Sequence, residues 1–423
     1  DLVRSRGLGD VYKRQIGELH GGKKKKESVG GLMKSLKVLR SHFGQVHVNF
    51  GEPIKLVDYL DSHREGWRNE ELSVHETPDW FKTTINNLGR DVVTGINAAA
   101  VANPVNLISL ALLATPKHTM DLQQLRQQLQ LYINLLDQAP YSDTARLAEN
   151  DPDVIIEYGL EHEFLIRVAH PLGDVVTTDP KTALQMAYVR NNSLHLFVLP
   201  GLICSLFLNA RSIRMDMLQS MIALLYPFFR NEYLLHWRED GELPAAVERI
   251  ASVLEEHGLV SREDDCLHGA AIHTYASDML AHLGQTVMPS LERFYLTIRL
   301  LVQYGSGRLD ADALSDLAHH TAQRLSLLYE FNSPEFFDKV VLRNFINQLR
   351  DTDLVWQDDD KALCFGDNLR ALDDEARRIL SPDISQAIQR VTRVPELERA
   401  LAETAEHDAQ DDGNTAKGTE ADK

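Results

Sequence analysis

Four consecutive lysines, Lys23, Lys24, Lys25 and Lys26, are the first residues along the chain whose type and spacing point to chemistry. A run of ammonium groups draws in phosphates or anionic lipid headgroups. The competing reading, a solvated loop ahead of a helix, weighs about the same. These four lysines are the candidate substrate-binding residues. A second cluster, Tyr188, Asn191 and His195, falls at i, i+3 and i+7, with Arg190 beside it. On one helix the three would share a face. The cluster holds amides but no nucleophile with a paired base. It reads as a buried polar network or a docking surface rather than a catalytic centre.

Other combinations carry less. His319 and His320 are adjacent, so on a helix they point about 100° apart and cannot share an ion as an i, i+4 pair would. Cys204, Cys266 and Cys364 are far apart and odd in number. They have no metal-ligand spacing and form no disulfide framework, which fits a reducing cytoplasm. No Gly-rich loop opens a helix to cradle phosphate. No metal site and no cofactor is expected.

The elements that must hold these residues read mostly as helices. Ser28 to Ser41 has a helix pattern with Leu32, Leu36 and Leu39 on one face. Val46, Val48 and Phe50 then alternate with His47 and Asn49, a strand with one buried face, stopped by Gly51-Glu52-Pro53. From Pro78 the pattern is helical for a long way, with Trp80 and Phe81 as core anchors. Leu122, Leu125, Leu129, Tyr132, Ile133 and Leu136 form a stripe, with Thr119 as the cap and Pro140 past the end. A pair of short strands fits between Val154 and Val176, and Asp179-Pro180 opens another helix. Apolar helices continue to Trp237. A helix from Pro244 to Gly258 and a hairpin from Leu259 to Leu267 suggest a winged-helix-like element. Helices are expected over Ala311 to Tyr329 and Pro334 to Leu349, the second opened by Ser333-Pro334.

Composition bounds the function. The 423 residues are 43% hydrophobic and 25% charged, enough for two or three globular domains with real cores. A net charge of −18 argues against a nucleic-acid-binding surface. The most apolar run, Leu196 to Leu208, is shorter than the roughly 18 to 20 residues that cross a bilayer and contains Pro200-Gly201. It reads as a buried core helix. The tail from Glu403 is acidic and poor in apolar residues, so it is expected to be disordered.

Several segments together resemble the membrane-associated glycerol-3-phosphate O-acyltransferases of Gram-negative bacteria. They are Glu18-Leu19-His20-Gly21 with Lys26-Glu27-Ser28; Val48-Asn49-Phe50-Gly51-Glu52-Pro53; Ile96-Asn97-Ala98-Ala99; Ala139-Pro140-Tyr141-Ser142; Tyr188-Val189-Arg190-Asn191-Asn192; Tyr226-Pro227; and Asn332-Ser333-Pro334-Glu335-Phe336-Phe337-Asp338-Lys339. The resemblance runs from about Ile16 to Trp356. It implies transfer of a fatty acyl group from acyl-CoA or acyl-carrier protein to the sn-1 hydroxyl of glycerol 3-phosphate, the first step of phospholipid and CDP-diacylglycerol synthesis. It also implies peripheral attachment to the cytoplasmic face of the inner membrane. The family's catalytic signature is His-x4-Asp, an imidazole base oriented by a carboxylate, followed by Arg-bearing blocks that meet the substrate phosphate. The resemblance places all of these before residue 23.

Two His-x4-Asp spacings occur in this chain, His273 to Asp278 and His407 to Asp412. Neither is followed by the Arg-bearing blocks, and with this many His and Asp one such spacing arises by chance. No catalytic residue is assigned. The expected class is mainly α, with a small α/β remnant of the acyltransferase domain and a winged-helix-like element. Ser5 to Gln15 is what one reading frame of a common sequencing-library adapter would encode, and residues 1–15 are expected to be a disordered, non-native scar. Residues 16–60 are expected to be the C-terminal edge of the acyltransferase domain. Residues 61–240 and 241–400 read as helical domains, and 401–423 as the disordered tail. The chain is thus expected to be a C-terminal part of the enzyme, inactive alone. The alternative is a non-catalytic helical scaffold or interaction module.

Overall fold

The computed structural model describes residues 46–69, 78–238, 241–329 and 337–392. The expected scar, the Ser28 to Ser41 helix, the Ser333-Pro334 cap and the acidic tail lie outside them. The structure is 64% helical, which makes the class mainly α. Two compact units divide the chain. One holds Ala98–Ile133 and Tyr141–Ser193 with the N-terminal segment through Glu65. The other holds Gly66–Asn97, Asn134–Pro140 and the rest from Leu194.

The first unit begins with an extended segment, residues 46–50, and helix α1 (Leu56–His63). The expected strand does not form: Val46, Val48 and Phe50 are exposed and sit in no sheet. A strand needs partner N–H and C=O groups, and among the described residues none is aligned with this one. Helix α2 (Asp79–Ala98) belongs to the second unit as far as Asn97, and the first unit resumes with a two-residue parallel pair, β1 (Val101–Ala102) with β3 (Arg146–Leu147). Helix α3 (Pro104–Leu113) is buried from Val105 to Leu112 and packs on α5 (Pro152–Glu161) and α6 (Pro180–Asn191). A helix apolar all round must be covered all round. Its start is fixed locally by Pro104 and a reciprocal capping box between Asn103 and Asn106.

Between these helices β2 (Thr119–Asp121), β5 (Val175–Thr177) and β4 (Ile166–Val168) make an antiparallel sheet in the order β2-β5-β4. Thr119 is a strand residue whose hydroxyl meets that of Thr177 at 2.9 Å, so it is not the expected cap. The cap of α4 (Leu122–Gln138) is Asp121, whose Oδ1 accepts from the Gln123 and Gln124 amides. The predicted stripe of α4 is real: Leu125, Leu129, Tyr132 and Ile133 are buried. Asp151 and Asp179 cap α5 and α6 ahead of prolines, as the Asp-Pro pairs imply.

The second unit is a helical assembly around α11 (Met288–Tyr304). Helix α7 (Val198–Leu206) is buried at every position, and the chain passes through Pro200-Gly201 without breaking it. No helix among the described residues is long and apolar enough to cross a membrane. Helix α7 packs instead on α10 (Tyr275–Gln285). Two glycines allow the approach. A Cβ at Gly201 would lie 2.6 Å from Thr286 Oγ1, and one at Gly284 would lie 3.0 Å from the Ser205 amide nitrogen. After α8 (Met215–Tyr233) and α9 (Glu242–Glu256) comes the hairpin β7 (Val260–Glu263) and β8 (Cys266–Gly269), joined by β6 (Ser212–Arg214) on the other side of β8. Helices α12 (Ala311–Tyr329), α13 (Lys339–Asp351), α14 (Asp367–Ile379) and α15 (Pro382–Val391) surround α11, with the hairpin β9 (Val355–Gln357) and β10 (Leu363–Phe365) between α13 and α14. Asp338 caps α13 by accepting from the Val340 amide. Phe228, Phe294 and Phe345 meet at its centre, the last two stacked at 4.4 Å. Phe81, expected as a core anchor, is exposed, because its helix turns that face to solvent.

The α7–α10 contact leaves no slack for a methyl group, since the atoms it would meet at Gly284 are backbone. Gly284→Ala is expected to lower the unfolding free energy by about 1–3 kcal/mol in a urea titration. An unchanged midpoint would show that the two helices do not approach this closely.

Candidate functional site

Lys23, Lys24, Lys25 and Lys26 lie outside the described residues. The other candidates can be placed. Helix α6 ends at Asn191 with Asn192 as its C-cap, and a 3-10 turn follows at Leu194–Leu196. Tyr188, Asn191 and His195 therefore do not share a helix face. The run Asn191-Asn192-Ser193 ends the helix, since short polar side chains compete for the backbone groups. Tyr188 and Asn191 are exposed, while His195 is buried.

His195 is held in a clasp. Its Nε2 lies 3.0 Å from the Asn97 carbonyl oxygen. A carbonyl only accepts, so Nε2 carries the proton. Burial, reinforced by nearby His236, pushes the imidazole down to about 4 against the smaller effect of that hydrogen bond. It is neutral at ordinary pH. Asn97 Nδ2 in turn donates to the Tyr233 carbonyl at 2.9 Å. The imidazole meets the last turn of α2, and the Asn97 side chain ties that turn to the end of α8.

Beside it lies a charged network between α8 and α11. Arg293 is 2% exposed, and its Nη2 donates to Glu232 Oε1 at 2.5 Å. The Ser290 hydroxyl donates to the same oxygen at 2.7 Å, accepts from Arg293 Nη2 at 3.1 Å and meets the Tyr233 hydroxyl at 2.8 Å. Ser290 and Glu232 look like a hydroxyl with a base. That carboxylate oxygen is shared with the Arg293 guanidinium, so the three groups form a closed hydrogen-bond network. Next along α11, burial pushes the Glu292 carboxyl up to about 8, only partly offset by the adjacent Arg293 charge. Farther on, Arg299 Nη1 donates to Asp373 Oδ2 of α14 at 2.8 Å, and burial raises that carboxyl too. The sequence reasoning missed all of these. The available signal was three charged residues, Glu292, Arg293 and Arg299, inside the mostly apolar run Met288 to Val302.

The His273 to Asp278 spacing does not assemble a dyad. His273 is exposed in a left-handed backbone conformation (φ 64°), and Asp278 is exposed in the first turn of α10. The hydrogen bonds of this turn join Thr274 to Ser277 in a capping box. His407 to Asp412 lies outside the described residues. His319 Nδ1 meets the Phe337 carbonyl at 2.5 Å, and its ring meets His320 edge-on at 5.4 Å. No group of three or more potential metal ligands occurs among the described residues.

The family described as the glycerol-3-phosphate acyltransferase C-terminal region matches residues 16–358. The chain belongs to this family. The glycerol-3-phosphate acyltransferase of Pseudomonas entomophila strain L48 is 38% identical over 377 residues, which is 89% of this chain and 45% of that protein. That of Pseudomonas aeruginosa strain UCBPP-PA14 is 38% identical over 390 residues, 92% of this chain and 47% of its own. That of Pseudomonas putida strain GB-1 is 37% identical over 377 residues. The chain spans about half the length of the curated relatives it matches. The matched region includes the four lysines and His273 but not His407 to Asp412. In this acyltransferase-family chain the fold continues past the match: β10, α14 and α15 follow residue 358, and Asp373 on α14 closes the ion pair with Arg299.

Two consequences can be measured. Arg293→Leu leaves the half-buried Glu232 carboxylate without its counter-charge and is expected to cost about 2–4 kcal/mol in denaturant unfolding, while adding Glu232→Leu recovers much of it. A single substitution costing nothing would mean the pair is solvated. Glu292 titrates higher folded than unfolded, so its contribution to stability is full below its ordinary value of 4.5 and lost as pH rises through about 8. The loss is at most about 1.4 kcal/mol per pH unit. Glu292→Gln should therefore gain stability relative to the parent steadily between pH 5 and 8. A pH-independent difference would place this carboxyl in water.

Proposed function

We propose that this chain serves a glycerol-3-phosphate 1-O-acyltransferase, in a supporting rather than a catalytic part. In that reaction a base takes the proton of the sn-1 hydroxyl and the oxygen attacks the thioester carbonyl. The new ester forms as the C–S bond breaks, and the thiol of CoA or acyl-carrier protein leaves with a proton. Membership of the family supports the reaction class. The non-catalytic part rests on the polar groups already described: the imidazole of His195 is spent on a carbonyl, Glu232 on a guanidinium, and His273 and Asp278 are not joined.

The observation that carries the reading is the segment at residues 46–50. Asn49 pins it, donating from Nδ2 to the Ala99 carbonyl at 3.1 Å and the Thr144 carbonyl at 2.7 Å. Val46, Val48 and Phe50 remain exposed. An extended segment with alternating apolar side chains is ready to add to a sheet edge. In this reading residues 16–60 complete the edge of the acyltransferase sheet, and 61–240 and 241–400 are the helical support. Lys23 to Lys26 meet the phosphates of substrate or anionic lipid headgroups. The enzyme sits peripherally on the cytoplasmic face of the inner membrane and makes the first intermediate toward CDP-diacylglycerol.

The test is reconstitution. This chain alone should transfer no acyl group from a long-chain acyl-CoA to glycerol 3-phosphate. Mixed with the part of a Pseudomonas relative that carries the His-x4-Asp block, it should restore transfer, and Phe50→Asp should cut that transfer at least tenfold. Transfer by this chain alone would overturn the supporting part. Equal transfer by the other part without this chain would overturn the need for it.

A further inference from the structure

A single side chain fastens the N-terminal segment to its unit. Residues 46–53 run extended, with Val46, Val48 and Phe50 exposed. Among the described residues, every hydrogen bond between this stretch and the rest of the unit comes from half-buried Asn49.

The amide of Asn49 is used in full. A primary amide has two N–H groups to give and a carbonyl to accept with. Nδ2 donates to the Ala99 carbonyl at 3.1 Å and to the Thr144 carbonyl at 2.7 Å. Oδ1 accepts from the Phe50 backbone amide at 3.0 Å. Chemistry fixes this orientation, since the two carbonyls only accept and the backbone N–H only donates.

The carbonyls it meets lie where two links come together. Helix α2 ends at Ala98, and a helix end leaves its last carbonyls to be satisfied from outside. The Ala98 oxygen receives the Ser142 hydroxyl and, at 2.8 Å, the Thr144 hydroxyl. The Ala100 oxygen receives the Arg146 amide at 3.0 Å, just ahead of the β1–β3 pair. Ala99 lies between them and is taken by Asn49. The point of attachment is thus held on both sides by bonds that do not involve Asn49. Removing the amide releases the segment and leaves its anchorage standing. Asn49 sets where residues 46–50 sit without carrying the fold of the unit.

In the supporting role proposed above, on which this step rests, residues 46–50 form the edge of the acyltransferase sheet. Whatever fixes the segment then fixes that sheet. Acyl transfer depends on the placement of base, hydroxyl and thioester, and a displacement of about 1 Å far from the chemistry can cost roughly a hundredfold in rate. We infer that Asn49 is a positioning residue for acyl transfer: its amide holds the edge strand of the catalytic sheet in register with the helical region, and it acts on turnover.

The test uses this chain mixed with the part of a Pseudomonas relative that carries the His-x4-Asp block, with this chain in saturating amount. Asn49→Asp keeps the shape of the side chain but turns an oxygen toward two carbonyl oxygens. Asn49→Ala removes the bonds without adding repulsion. Both should lower kcat by about tenfold or more, with KM for glycerol 3-phosphate and for a long-chain acyl-CoA within about twofold of the parent. The urea midpoint of each variant chain should match the parent's. Parent-like turnover by both variants overturns the positioning role. So does a loss that disappears as more of the variant chain is added, which would make Asn49 a contact for association only. A loss matched by a fall in the urea midpoint would make it a structural residue, and overturns the role as well. A parent mixture that forms no product overturns the supporting role itself and the positioning role with it. A parent that restores transfer beside indifferent Asn49 variants overturns the positioning role alone.

Discussion

Arg293 carries a full positive charge in a place almost sealed from water, and the second unit is arranged around that constraint. A buried guanidinium is tolerable only when paired and hydrogen-bonded. Glu232 supplies the opposite charge, and Ser290 bridges the two. Their hydrogen bonds fix α8 against α11. Tyr233 is drawn into the same network through its hydroxyl, and its backbone carbonyl then receives Asn97. Asn97 in turn places its own carbonyl on His195. A single desolvated charge thus specifies a chain of contacts that ends at an imidazole kept neutral by burial.

Apolar packing does the rest of the work in that unit. Phe294 leaves α11 next to Arg293 and stacks on Phe345, with Phe228 tilted against it and Phe229 edge-on. Aromatic pairs of this kind add to area burial, and they lock the helix whose neighbour in sequence is charged. The family-matched region stops at residue 358, yet the fold does not. Helices α14 and α15 also lie against α11, and Asp373 neutralises Arg299 from the far side. Arg293 and Arg299 therefore draw their counter-charges from different parts of the chain, one inside the matched region and one beyond it.

Much of this was legible where the cause is local. Asp151-Pro152 and Asp179-Pro180 announced helix starts because a capping carboxylate and a proline act within one turn. The stripe of α4 and the span Ala311 to Tyr329 were legible from periodicity, since those faces are buried. The failures share one cause, dependence on something distant in sequence. Val46 to Phe50 has a strand's alternation, but a strand exists only with partners. Thr119 has a cap's chemistry, but Thr177 recruits it into a sheet. Phe81 looked like an anchor because aromatic residues usually are, and it lies on the face that α2 turns outward. The buried ion pair left a trace in Glu292-Arg293, but its partner Glu232 is on another helix, and no local pattern joins them.

Three polar groups among the described residues of this acyltransferase-family chain show how a titratable side chain serves as a joint between helices. A general base needs a lone pair directed at substrate and a proton affinity near the working pH. His195 has the imidazole, but its proton is directed at a carbonyl and its affinity is depressed to about 4. Glu292 has an affinity near 8, but burial holds it protonated, the wrong state for a base. Glu232 is a carboxylate beside a hydroxyl, but the oxygen that meets Ser290 also accepts from Arg293. Each group fails by a different route, and in each the feature that disqualifies it as a catalyst (a fixed donor, a buried proton, a paired charge) is the one that makes it useful as a joint between helices.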